Sequence, residues 1–399
     1  MMLCLTSALV SLPAAVSAQD NARNISLAEA SALALKNNFE IQLTKYDILM
    51  SRQGVDAARS VYDTMLTARV SYQDDRLSRN STLLADRVTN QAYTAGLWKS
   101  FPSGTTLSVE QSFDREWTSG SSAVYNPGHE AVTRLSVEQD LGRNFFGTAD
   151  RGRVKIAMKD VENAQYLSFY KMEQQIASVQ KAYWNLVLLN EIDRVSQEML
   201  EQAKRLFEID QDRFQRGLAE RPQLLGSEAN YKARLADAAL SASALSAGMN
   251  LLKLELNLDD AGVVLVPEDV FTVPEHRVDL LGSMERALSS RPDYQQALNE
   301  AARQDIRLEV ARHNAWPEIQ LKASFARNGL GHDANDAFSR TGSEHDQDFS
   351  ASAALSMPLE NRLAKSQLKE TAYQKARALV NAKYTERRIA VEIADQVTA

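Results

Sequence analysis

Two hydrophobic periods alternate along this chain. From Arg153 to Arg216, 64 residues without Gly or Pro, apolar side chains recur every three or four positions, as in Val154, Ala157, Val161 and Ala164, then Ile176, Val179, Tyr183 and Leu186. Such a stripe lies on one helical face and must be buried against other helices. A single helix of that length would measure about 96 Å at ~1.5 Å per residue. Gly217 after the last periodic residue is a helix stop. Pro222 suits the first turn of a returning helix. That helix is read through Leu224, Leu225, Ala229, Leu235, Ala239 and Leu245 to about Leu258, with Asp259-Asp260-Ala261-Gly262 stopping it. Elsewhere the period is two. Leu66, Ala68, Val70 and Tyr72 alternate with polar neighbours, as do Ile319, Leu321, Ala323 and Phe325, and Phe349, Ala351, Ala353, Leu355 and Met357. Leu135 and Val137 repeat the pattern, and Tyr93–Phe101 and Thr105–Phe113 carry weaker versions around Pro102-Ser103-Gly104. Period two with one apolar face predicts half-buried strands, and Val263–Val266 reads as a further short strand.

The two periods belong to a repeat. Residues 27–72 lie over 280–325 at a constant offset of 253, with Leu27, Ala34, Leu35, Ala58, Arg59 and Ser71 falling on Leu280, Ala287, Leu288, Ala311, Arg312 and Ser324. Each copy opens with a helix, predicted over Ser26–Val61 and Asp279–Asn314, that runs into a strand. Ser26 and Glu29 form a capping box at the first. The first copy spans 19–265, 266–278 reads as a linker, and 279–399 holds a shorter second copy whose last helix begins near Asn361. The second copy is expected to be incomplete, so that this 399-residue form does not close a helical barrel by itself.

Composition narrows the setting. Leu3–Val10 is an apolar segment, and Val16-Ser17-Ala18 offers small residues for cleavage after Ala18, which predicts a signal peptide over 1–18. Cys4 lies inside it, so the mature chain has no disulfide, thiol nucleophile or thiolate metal site. No later apolar run approaches the roughly 20 residues of a membrane helix. A net charge of −7 argues against a nucleic-acid partner. His129, His276, His313, His332 and His345 are not in metal-ligand spacing, and Asp333-Ala334-Asn335-Asp336 fails as a calcium loop because Ala337 stands where a ligand belongs. No metal, no cofactor and no catalytic residue is expected.

Strands of roughly 8–11 residues match membrane-spanning β-strands, apolar toward lipid and polar toward a lumen. A soluble sandwich gives the same alternation. The predicted export, and the polar loops Arg76–Asn90, Glu116–His129 and Asn328–Gln347, favour the membrane reading. At most six strands cannot close a barrel, and open edges cannot sit in lipid, so several chains would share one barrel.

Four stretches together resemble the TolC family of outer-membrane factors. The openings ISLAEASALALKNNFEI and VDLLGSMERALSSRPDY are similar to the family's recurrent helix start. VARHNAWPEIQLKASF is similar to its helix-to-strand junction, with Pro317 at the bend and Thr64 in its place in the first copy. LSVEQDLGRNFFGTADRGRVKIA is similar to its strand-to-long-helix junction, and RGLAERPQLLGSEANY to its periplasmic hairpin tip, with Gln223 where the family has an acid. The resemblance implies an α+β membrane protein built as a homotrimer, with long α-helical hairpins in an α-barrel continuous with an antiparallel transmembrane β-barrel shared by three subunits. Its function would be a passive outer-membrane exit duct of a tripartite efflux pump or type I secretion system. Implied partners are a periplasmic adaptor, an inner-membrane transporter of RND, ABC or MFS type, and outer-membrane lipid. Arg216, Gly217, Leu218 and Ala219, with Leu224 and Leu225, are the expected adaptor contact. Arg69, Gln73, Gln320 and Lys322 are expected to line the pore. The family usually has four strands per chain, and Tyr93–Phe113 reads as an added hairpin. The competing reading is a periplasmic coiled-coil interaction protein with a small soluble β-domain.

Overall fold

A computed structural model describes residues 21–77, 86–119, 123–258, 262–271, 279–342 and 346–398. The expected signal peptide therefore lies outside the described residues, as does most of the expected linker. In chain order the first elements are β1 (Asn21–Ile25), α1 (Leu27–Asn37), α2 (Phe39–Arg59), β2 (Thr64–Asp75), β3 (Val88–Ser100), β4 (Thr105–Thr118), β5 (Gly128–Asp140), α3 (Thr148–Gln215) and α4 (Arg221–Leu256). Then follow β6 (Val263–Pro267), α5 (Leu280–Ser290), α6 (Pro292–Asn314), β7 (Glu318–Gly331), α7 (Ala334–Arg340), β8 (Gln347–Ser356) and α8 (Arg362–Thr398). They form two compact units, one of Met1–Tyr46 with Ser168–Arg277 and the other of Asp47–Leu167 with Val278–Ala399.

The helix expected over Ser26–Val61 is two helices. Ser26 does cap α1, its hydroxyl accepting from the Glu29 amide at 3.2 Å, but the Glu29 side chain turns to Arg23 and does not complete the box. The chain then breaks at Asn38, whose Oδ1 accepts from the Glu40 and Ile41 amides and so caps α2. The helix expected over Asp279–Asn314 also breaks, at Arg291, where the following Pro292 keeps the backbone extended. At the offset of 253, α1 and α5 coincide at both ends and Asn38 falls on Arg291. The repeat is therefore one of structure as well as of sequence.

In the first unit β1 and β6 pair in parallel, Asn21 opposite Val263 through Ile25 opposite Pro267. Ile25, Ala30 and Ala34 join Val179, Tyr183 and Leu186 of α3 and Leu252 and Leu256 of α4 in one buried cluster. The Tyr183 hydroxyl donates to the Asp269 carboxylate at 2.6 Å and lies 3.0 Å from the Ile25 carbonyl oxygen, while Asp269 accepts from the Leu27 amide at 2.7 Å. Residues read as plain linker thus clasp the start of the first repeat. The returning helix α4 ends at Leu256, two residues before the expected Leu258: Asn257 adopts φ 50° and caps Leu254 and Lys253. Against the expectation that no run after the first segment approaches membrane-helix length, α4 is by length and composition apolar enough to cross a membrane. Its Ala/Ser/Leu content instead lets Ala238, Ser241 and Gly248 be buried, and the Ser241 hydroxyl donates to Asp193 of α3 at 2.7 Å.

The second unit is built on a six-stranded antiparallel sheet in the order β2-β3-β4-β5-β7-β8. The hairpin expected over Tyr93–Phe113 is present and brings the sheet to six strands. Most strands run 12–14 residues, longer than the alternation alone indicated, and shorten the three expected loops; α7 occupies part of the third. The two copies' junctions meet at the helix end of the sheet, between its inner strands β5 and β7. The Arg143 amide donates to the Pro317 carbonyl and the Leu141 amide to the Ile319 carbonyl. A Cβ on Gly142 would stand 2.0 Å from the Pro317 oxygen, so only glycine fits there. Alongside, Asn299 of α6 donates to Asn163 of α3 at 2.8 Å and to the Lys159 carbonyl at 3.0 Å. Buried Ala378, Ala382 and Ile389 lie on α8, which is tied to α6 by Arg388–Asp293 and to Arg291 by Glu392.

Candidate channel wall and helical tip

Strand register decides which side chains share a face, because cross-strand partners stand on the same side. One row runs Leu66, Leu97, Val109, Leu135, Phe325 and Phe349 across all six strands. The next row toward the helices runs Leu107, Val137, Ala323 and Ala351, with Thr64 and Lys99 at its β2 end. On the other face stand Arg69, Thr94 and Ser112 in one row and Thr106, Glu138, Lys322 and Ser352 in another. The register brings all four expected lining residues, Arg69, Gln73, Gln320 and Lys322, to this polar face. Every carboxylate of the six strands except Asp74 also lies there, with Arg69, Arg134 and Lys322 as its cations.

The two faces differ in crowding. Ser136, Ser324 and Ala326 on the polar face are buried, whereas Leu97, Leu135 and Phe349 on the apolar face are exposed. A sheet curved toward its polar side produces that asymmetry. Among the described residues both outer strands leave an edge unpaired: β2 and β8 each have one neighbour, and β8 is exposed along its whole length. Exposed Tyr72 and Tyr93 stand toward the loop end, and Phe145, Phe146 and Trp316 toward the helix end, the pattern of aromatic residues at the two rims of a membrane band.

One polar row interrupts the apolar face, a departure from the expected alternation. It holds Gln111, Thr133, Arg327 and Gln347. Thr133 donates to Gln111 at 2.5 Å, and the Arg327 guanidinium lies 5.7 Å over the Phe325 ring. Just beyond it α7 covers part of the apolar face. A Cβ on Gly329 would be 2.1 Å from the Ala337 oxygen, and Phe338 stacks on Phe113 at 5.5 Å. Sequence reading missed α7; Asp333, whose carboxylate caps it by accepting from the Asp336 amide, was its signal.

The turn between α3 and α4 is the expected tip. Gly217 takes φ 76°, and the Leu218 amide closes on the Arg213 carbonyl at 2.8 Å. Arg216 pairs with Asp212 at 3.0 Å, so its charge is partly engaged within α3. Leu218 is 75% exposed and Leu225 53%, while Ala219 and Leu224 are half-buried. Gln223 donates to the buried Asp210 at 2.9 Å. An acid at 223 would set two carboxylates against each other, which explains why this chain keeps an amide there. Gln223→Glu is expected to lower stability by about 1–3 kcal/mol, the scale of losing a hydrogen bond to a charged group, read by hydrogen exchange of the tip amides. Unchanged exchange would show that the pairing is dispensable.

His332 meets Tyr125 edge-on at 4.3 Å, and no group of three potential metal ligands occurs among the described residues. No family model and no curated protein matches the sequence. Solved structures do. The Campylobacter jejuni CmeC outer membrane channel superposes with TM-score 0.64 at 16% identity, over 90% of this chain and 67% of that one. A membrane protein from Pseudomonas aeruginosa gives TM-score 0.67 at 17% identity, over 94% and 76%. The outer membrane protein VceC from Vibrio cholerae gives 0.62 at 15%, over 93% and 78%. The chain therefore has the fold of bacterial outer-membrane channels, the fold that its resemblance to the TolC family implies.

Proposed function

We propose that this chain is one of three identical subunits of an outer-membrane exit duct serving a tripartite efflux pump or a type I secretion system. The observation that carries this reading is the open six-stranded sheet with one exposed apolar face, one polar face and two unpaired edges. Unpaired edges in lipid are prohibitively costly. The outermost strands run in opposite directions, so β8 of one copy can pair antiparallel with β2 of the next, a head-to-tail contact that closes into a ring. Three copies give about 18 strands, an even number within the range of such barrels. The apolar face then meets lipid, and Arg69, Gln73, Gln320 and Lys322 line a water-filled lumen. The long helices extend into the periplasm. The duct is passive: a periplasmic adaptor opens it by favouring one of two helix packings, and an inner-membrane transporter of RND, ABC or MFS type selects the substrate. The soluble alternative is disfavoured because a small soluble β-domain has to bury its apolar face, and here that face is largely exposed.

Native mass spectrometry of protein extracted from outer membranes tests this. A homotrimer supports the duct; a monomer or dimer recovered with the soluble periplasm overturns it in favour of the coiled-coil interaction protein.

The tip carries a second expectation. Leu218 and Leu225 are exposed without serving the core, so Leu218→Asp with Leu225→Asp is expected to leave the trimer intact. Co-purification of the adaptor should fall at least about tenfold, the equivalent of ~1.4 kcal/mol. Unchanged co-purification would move the adaptor site away from Arg216–Leu225.

A further inference from the structure

Charge is sorted across the sheet in a way that the duct reading does not require. The strand carboxylates other than Asp74 are on the polar face, while Arg115 and Arg327 are on the apolar face. Arg115 shares a row with His129 and Gly331, and Arg327 lies one row nearer the helices than α7's contact at Gly329. Neither arginine pairs with a carboxylate among the described residues, and Arg327 Nε is buried without any hydrogen-bond partner. Nearby, Arg76 and Arg87 both bind the single carboxylate of Asp74, at 2.6 and 2.8 Å, leaving that trio positive. Arg340 of α7 pairs with Asp336 at 2.9 Å and lies over Tyr125. The loop end of the apolar face is thus a cationic belt studded with Trp117 and Phe338.

Resting on the duct reading, we propose that this belt binds the phosphorylated headgroups of outer-leaflet lipid, with Arg115 and Arg327 as the principal contacts. A lipid-facing arginine costs ~2–4 kcal/mol at mid-membrane and ~0–1 near the interface. A phosphate supplies the missing counter-charge at the depth where a headgroup sits. Guanidinium and phosphate match in a two-pronged hydrogen-bonding geometry. The polar face, rich in carboxylates, repels the same group, so the charge sorting also fixes which side meets the lipid. α7 shelters the rows beside Arg115 and Arg327 and holds aromatic side chains at headgroup level.

The test is native mass spectrometry of the full-length protein in detergent, titrated with diphosphoryl lipid A and, separately, with phosphatidylcholine. Wild type is expected to retain diphosphoryl lipid A at about tenfold lower concentration than phosphatidylcholine. Arg115→Ala with Arg327→Ala should abolish that preference, while Arg205→Ala, which removes a cation of the first unit that pairs with Glu201, keeps it. The paired lysine replacements, Arg115→Lys and Arg327→Lys, should restore part of it, separating charge from folding. Equal retention of the two lipids by wild type, or an unchanged preference in the double alanine variant, overturns the proposal while leaving the duct standing. Failure of wild-type protein to fractionate with outer membranes overturns the duct reading and this proposal with it.

Discussion

Leu135→Arg is expected to remove the chain from the outer membrane, while Ser112→Arg leaves it there. Leu135 sits in the row that runs from Leu66 to Phe349 on the apolar face, and Ser112 in the row of Arg69 on the polar face. A lipid-facing arginine near mid-membrane costs ~2–4 kcal/mol. With one substitution per copy, a three-copy barrel incurs about 6–12 kcal/mol, comparable to the whole stability of a typical domain. In the proposed barrel an arginine at 112 would enter the wet lumen beside Glu110 and Asp114 and is expected to be nearly neutral. Outer-membrane fractionation and heat-modifiable migration read the difference. Normal assembly of Leu135→Arg would reverse the assignment of faces. Loss of both variants alike would show a sheet with two dry sides.

Tyr183→Phe is expected to loosen the first unit by about 1–3 kcal/mol, the range for removing a hydrogen bond to a charged group. The Tyr183 side chain is fully buried. Its hydroxyl bridges Asp269 and the carbonyl end of β1, so the loss uncouples α3 from the clasp that holds the start of the first repeat. Burial, and then the Asp269 carboxylate beside it, pushes the Tyr183 hydroxyl up to about 12. The Tyr183 hydrogen bond, and then the Leu27 amide, hold the Asp269 carboxyl below the usual carboxylate range. The folded state thus binds the tyrosine proton more tightly than the unfolded state does. Its contribution is complete below pH ~10 and is lost as pH rises toward ~12. The Asp269 contribution has the opposite sense, present above pH ~4 and lost as pH falls below it. Wild type should therefore lose protection of the Leu27 amide in hydrogen exchange at both extremes. Tyr183→Phe should start lower at neutral pH and show a flatter alkaline limb. Parallel alkaline limbs in the two proteins would mean that the clasp does not titrate through Tyr183.

Much of the fold was legible because hydrophobic period is a local property. The six strands, the α3–α4 hairpin and the start of α8 follow from alternation at two or at three to four residues. The four residues expected to line a pore were chosen as polar members of alternating strands, and period two alone was enough to keep each on the polar side of its own strand. The breaks at Asn38 and Arg291 were harder to see. Only the second has a proline after it, and the first depends on Asn38 capping α2 while its amide reaches the Glu255 carbonyl, 217 residues away in sequence. The clasp was hidden for the same reason: nothing near Asp269 in the chain indicates that Leu27 and Tyr183 converge on it. α7 needed the bare backbone of Gly329 and Gly331 to dock against, which a count of loop polarity cannot reveal.

The sequence by itself determined the types of the long elements, the repeat at an offset of 253 and the alternation that makes every strand two-faced. Those depend on contacts a few residues apart, where side-chain direction is set by backbone geometry. Only the tertiary structure decided the order β2-β3-β4-β5-β7-β8, the alignment of rows across it and hence the sorting of carboxylates to one face and unpaired arginines to the other. Register between strands far apart in the chain is chosen by the joint fit of six surfaces, and no single strand carries that information.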